Sequence, residues 1–157
     1  MKLTKLFFVI SLTLSLFADS TMNINVISQD AKKTNKITMV FYHMTYCPYC
    51  EKMLNETFEG FDSMANINKI FYYVDMNIDD GGEIIYKDFK GTPEDFGEYF
   101  DIELYPTILF LENNQVIYYV HGYRNQEKFT SILNYVSSRS IGKMDLLEFI
   151  DNELMKD

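Results

Sequence analysis

The chain has 157 residues, of which 47% are hydrophobic and 24% charged, with a formal net charge of −9. That length supports one domain with a sizeable core, and the composition excludes a membrane bundle or a disordered chain. So acidic a surface repels nucleic acid and anionic lipid, which removes both as expected partners.

The first 18 residues, MKLTKLFFVISLTLSLFA, place Lys2 and Lys5 ahead of an apolar run from Leu6 to Phe17 that ends at Ala18. This is the layout of a secretory signal peptide. The run is 12 residues long, short of the roughly 20 that span a bilayer. No stable membrane insertion is therefore expected after cleavage, although Leu16, large for its place before the cut, leaves an uncleaved anchor as the alternative. Residues 19–157 would form the domain, with 12 basic and 23 acidic residues and a net charge near −11. An exported, periplasmic location is expected.

Ser28–Lys36 is polar and helix-compatible. ITMVFY (Ile37–Tyr42) and IFYYVDM (Ile70–Met76) are β-branched and aromatic, and both read as strands buried on two faces. Between them Cys50, Met53, Leu54, Thr57 and Phe58 share one helix face, with Gly60 as the stop. The chain thus runs strand, CxxC, helix, strand. Residues 79–101 are less regular. TPED (Thr92–Asp95) reads as a helix start, with Phe96, Tyr99 and Phe100 following. TILFL (Thr107–Leu111) and VIYYV (Val116–Val120) read as strands joined by the turn ENNQ. Asn125 can cap a helix that buries Phe129, Ile132, Leu133 and Val136. After Gly142, residues 143–155 read as one more amphipathic helix.

Cys47 and Cys50 are the only cysteines. Three readings compete: a redox pair, a structural bridge, or half of a metal site completed by His43 and His121. A structural bridge gains most by closing a long loop, and this loop is very short. The spacing of the four possible metal ligands matches no known zinc finger. A covalent c-type haem is excluded, because Glu51 follows Cys50 where histidine is required.

TYCPYCEKM, LYPTILFL and VHGYRNQEKFTSIL, in that order, resemble the active-site loop and helix, the cis-proline strand and the closing strand-turn-helix of the thioredoxin superfamily. Within it the chain is most similar to exported, single-domain SoxW-type thioredoxins. The resemblance implies an α/β thioredoxin fold: a central mixed β-sheet flanked by helices, with a core over about 28–138 and an extra C-terminal helix over about 143–155. It implies a protein-disulfide oxidoreductase, with reduction of protein disulfides as the leading direction. The alternatives are a dithiol oxidase or isomerase, or a non-catalytic metal- or peptide-binding module. Cys47 would be the nucleophile and Cys50 the resolving thiol. Pro48 and Tyr49 would form the active-site loop, and Tyr105 and Pro106 would bind substrate. No metal or cofactor is expected beyond the Cys47–Cys50 disulfide itself. The implied partners are protein thiols and disulfides and a membrane electron donor. Where the family commonly buries an acid, six residues before the first cysteine, this chain has Phe41. His43 and Asp75 are the groups expected to modulate the site.

Overall fold

The structure, a computed structural model, describes residues 20–59 and 64–155. The expected signal peptide and the Gly60 helix stop lie outside the described residues. The central strand β2 (Ile37–His43) is buried along its length except at His43. Its alternating side chains feed two cores. Met39 and Phe41 face one, and Val40 and Tyr42 face the other. A two-sided apolar strand is stable only when both sheet faces are covered, and here both are.

β2 pairs in parallel with β3 (Phe71–Asn77) and antiparallel with β6 (Thr107–Glu112), which pairs antiparallel with β7 (Gln115–His121). The order β3-β2-β6-β7 makes a mixed sheet. The Phe41 side is covered by helix α2 (Pro48–Lys52), by the π-helical turn Met53–Phe58 that continues it, and by α3 (Met64–Ile70), α5 (Gln126–Ser137) and α6 (Leu146–Leu154). The Tyr42 side is covered by α1 (Ile24–Lys33), α4 (Pro93–Tyr99) and a small second sheet. That sheet has the order β1-β4-β5, from Thr21–Asn23, Glu83–Tyr86 and Phe89–Gly91.

Several expectations hold at the level of single residues. Asn113 and Asn114 both adopt left-handed backbone (φ 50° and 60°), and the β6–β7 hairpin closes on Glu112 and Gln115. Thr92 caps α4, accepting from Asp95 N–H at 3.1 Å while its own N–H donates to the Asp95 carboxylate at 2.7 Å. Asn125 caps α5.

Others are corrected. β3 is not buried on both faces: it is an edge strand, with Tyr72 and Asp75 exposed. α1 begins at Ile24, not Ser28, because Asn23 caps it through Val26 N–H. The last helix starts at Leu146, capped by Asp145. Residues 79–101 contribute β4 and β5 as well as α4.

One close approach ties α4 to the central strand. The buried Tyr42 hydroxyl donates to Pro93 O at 2.8 Å. Burial, and then the neighbouring Tyr105, push its acidity well below that of an ordinary phenol. Gly97 lies against this hydroxyl, and a Cβ there would come within 2.2 Å of it. Gly97→Ala should therefore cost about 1–3 kcal/mol in denaturant unfolding, the usual penalty of overpacking. Tyr42→Phe removes the crowding oxygen, so the double variant should lose less than the sum of the two single losses. Strict additivity would count against the contact.

Candidate active site

At the end of β2 the chain leaves the sheet through Met44–Tyr46 and turns into α2. Cys47 is the N-cap, with extended backbone (φ −94°, ψ 108°). Its sulfur accepts from Cys50 N–H at 3.2 Å, and its carbonyl accepts from Glu51 N–H at 3.0 Å. Pro48 occupies the first helical turn, where its missing donor costs nothing. One turn brings the two Cα atoms to 5.2 Å, and Cys47 and Cys50 are bridged. Cys47 is half-buried, whereas Cys50 is only 2% exposed and packs in the core of Phe41, Met53 and Phe58.

The strand register brings the other expected residues to the same end of the sheet. Tyr42 pairs with Thr107, so Tyr105 and Pro106 emerge beside the Met44–Tyr46 loop. The Tyr105–Pro106 bond is cis. Thr107 pairs with His121, and Gly122 N–H donates to Pro106 O at 2.7 Å. Tyr105 packs into both cores, with its ring 5.7 Å from that of Tyr42. The Thr107 hydroxyl donates to Leu104 O at 2.6 Å and contacts His121 Nδ1 at 3.2 Å. His121 is therefore occupied in supporting this loop.

His43 and Asp75, read separately from the sequence, are in contact. His43 Nε2 lies 2.9 Å from the Asp75 carboxylate, which also accepts from the Tyr73 hydroxyl at 2.8 Å. The hydrogen bond from His43 holds the Asp75 carboxyl below the usual carboxylate range, against the opposing effect of burial. Burial, and then the Asp75 charge, suppress ionisation of Tyr73. The His43 ring stacks on Phe41 at 4.9 Å, and Phe41 meets Phe58 at 5.0 Å. In register Asp75 is the direct partner of Phe41, so it stands on the sheet face that carries α2.

The sequence reading missed the polar tether of the active-site loop. Thr45 N–H donates to Asp79 at 2.7 Å, and Asn77 Nδ2 donates to the Thr45 hydroxyl at 3.0 Å. Its signal was the pair of polar residues Asn77 and Asp79 at the end of an aromatic strand. Among the described residues, no group of three or more His, Cys, Asp and Glu side chains is placed to hold a metal ion. The four-ligand set of His43, Cys47, Cys50 and His121 is not assembled.

The family model of the thioredoxin-like domain matches residues 25–137. The chain belongs to the thioredoxin-like family. A thioredoxin-fold protein from Helicobacter pylori is similar in structure, with 17% identity, a TM-score of 0.65, and coverage of 78% of this chain and 86% of that one. A thioredoxin from Thermus thermophilus has 17% identity, a TM-score of 0.59, and coverage of 78% and 88%. A poplar thioredoxin h has 16% identity, a TM-score of 0.52, and coverage of 74% and 96%. No curated protein sequence matches the chain. At these identities the structures speak to the fold alone. The family, the fold and the bridged Cys47–Cys50 pair together support thiol–disulfide oxidoreductase activity in general and imply thiol-containing protein substrates.

The Asp75 interaction has a defined pH signature. A carboxyl held below its ordinary value near 3.8 adds stability above that value and loses it as pH falls through the lowered one. Asp75→Asn should therefore be less stable than the parent near neutral pH, and the gap should close below about pH 4. The side chain is 54% exposed, so solvent screening keeps the gap small. Urea midpoints in steps downward from about pH 5 read it, and a gap that widens on acidification would refute the assignment.

Proposed function

We propose that this protein is an exported protein-disulfide reductase, kept reduced by a membrane electron donor. The observation that carries the reading is the asymmetry of the pair: Cys47 half-exposed at a helix N-terminus, Cys50 sealed in the core. A thiolate at Cys47 is favoured by the Cys50 N–H and the helix dipole, whereas a charge at Cys50 would be desolvated. In the reduced protein Cys47 attacks a substrate disulfide, forms a mixed disulfide and expels one substrate thiol. Cys50 then attacks the Cys47 sulfur and releases the second thiol. Two electrons and two protons pass to the substrate, and the internal disulfide re-forms. The donor returns both electrons. Tyr105 offers its backbone to an extended substrate segment beside Pro106. Pro48 and Tyr49 shape the loop, and His43 and Asp75 tune it. Export rests on the Lys-apolar-Ala start of the sequence. The likeness to SoxW-type thioredoxins rests on the segment ahead of α4 and on α6.

Reduction is favoured over oxidation because the surroundings of Cys47 supply little extra positive charge. Pro48 and Tyr49 are neutral. Lys52, the nearest cation along the helix, is turned aside: its Nζ lies 3.8 Å from Glu56 and 4.8 Å over the Tyr123 ring. The potential should then lie nearer the thioredoxin value of about −270 mV than that of a strong periplasmic oxidant at about −120 mV. Equilibration against glutathione measures it, and a value above about −150 mV would reverse the direction. His43→Ala should shift it, because His43 ends the strand that leads into the Cys47 loop and holds the Asp75 carboxylate at the rim of the site.

The division of labour is tested separately. Cys50→Ser should accumulate substrates as mixed disulfides that a reducing agent releases, and Cys47→Ser should accumulate almost none. Equal trapping by the two variants would contradict the asymmetry.

A further inference from the structure

Four chain segments leave the sheet at the Cys47 end: residues 44–47, 78–82, 103–106 and 122–125. Three side chains there are far more exposed than their chemistry favours: Tyr46 at 99%, Tyr49 at 62% and Leu104 at 60%. Tyr46 is the sharpest case. Its backbone is left-handed (φ 58°), a strained conformation for a bulky residue, and the Thr45–Asp79 and Thr45–Asn77 hydrogen bonds tether the chain beside it. The ring stands in solvent directly before the reactive cysteine, and it packs on none of the described residues. Strain retained around an exposed aromatic points to contact with something outside the chain.

The charges beside these residues narrow what that is. Glu51, Asp79, Asp80 and Glu103 are all exposed in these segments and in the first turn of α2. The nearby cations are fewer. Lys52 sits between Glu56 and Tyr123, and Arg124 keeps its charge while donating to the neutral carbonyls of His121 and Tyr123, so the carboxylates outnumber the cations at this end. Lys128 shares the first turn of α5 with Glu127. An apolar ring within an acidic surround attracts a positively charged, apolar polypeptide and repels an anion.

We propose that this face selects extended polypeptides whose disulfide cysteine is flanked by aromatic or aliphatic and basic residues, and discriminates against small anionic disulfides. The inference rests on the oxidoreductase reading above and assigns its substrate class. Tyr46, Tyr49 and Leu104 receive the apolar neighbours of the substrate cysteine. Glu51 and Glu103 receive its lysines or arginines.

The probes are two disulfide-linked peptides of one sequence with tyrosine beside the cysteine, flanked in one by lysines and in the other by glutamates, together with oxidised glutathione. Full-length protein is reduced with dithiothreitol and freed of it, and its reoxidation by each probe is timed at one pH. The lysine peptide should react about 10-fold or more faster than the glutamate peptide at low salt, and the ratio should shrink as salt rises. Oxidised glutathione should be slower than the lysine peptide. Glu51→Lys with Glu103→Lys should collapse or invert the ratio, and Tyr46→Ser should slow the lysine peptide. Rates within twofold for the two peptides would overturn the proposal, as would a lysine preference that the charge-reversal variant leaves intact. A bridge that dithiothreitol cannot open, or a dithiol that no probe reoxidises, would instead overturn the oxidoreductase reading itself.

Discussion

Everything at this site depends on how β2 ends. From Ile37 to Tyr42 the strand is buried on both faces, so its position is set by two cores at once. A single Phe or Leu fully buried contributes about 1.5–3 kcal/mol, and β2 brings Met39, Val40, Phe41 and Tyr42 together at full burial. A strand held that firmly delivers the next residues to a fixed point. Cys47 falls at the helix cap that follows, and the cap geometry places the Cys50 N–H on its sulfur.

The second cysteine follows from the same constraint. With Cys47 at the cap, Cys50 falls one turn on and faces the sheet, against Phe41 and Phe58. One sulfur is offered to partners and the other is kept from them, and no special residue is needed for the distinction. Beyond Lys52 the helix widens into the π-helical turn Met53–Phe58, which sets Thr57 to donate to Arg124 O at 2.6 Å. That bond links the cysteine helix to the loop entering α5. Lys52, Glu56 and Tyr123 lie along the same seam, so the first basic side chain after the cysteines is spent on structure.

How far the sequence revealed this depends on the kind of signal. Short-range chemistry was fully legible: Thr92 with Asp95, the Asn113–Asn114 turn and the Asn125 cap act within four residues, and each formed as its local rule requires. The CxxC at a strand-to-helix junction was legible because both periodicities change there. β3 was misread because its aromatic run looks continuous. Only its place at the sheet edge, a property of the whole topology, leaves Tyr72 and Asp75 to solvent. β1 pairs with β4 across about sixty positions of sequence, and β4 and β5, although joined by a short turn, are only four and three residues long, too brief for a periodicity to stand out. The His43–Asp75 contact spans 32 positions and depends on the β2–β3 register. The residues could be nominated from the sequence, but their meeting could not.

That meeting decides where the site keeps its carboxylate. Where the family resemblance puts an acid on the central strand behind the cysteines, this chain carries Phe41. Its direct partner in register is Asp75, so the carboxylate is displaced by one strand, from the buried middle of the sheet to its edge. A carboxylate in the place of Phe41 would lose its hydration and be driven towards its neutral form. On the edge it keeps part of its water and accepts from His43 and Tyr73, and its acidity moves the other way. Among the described residues, the core around Cys50 holds the stacked and edge-on rings of Phe41 and Phe58, and the His43 ring lies on Phe41 with its orientation fixed by the Asp75 hydrogen bond. The aromatic wall and the edge carboxylate are thus two consequences of one exchange between adjacent strands.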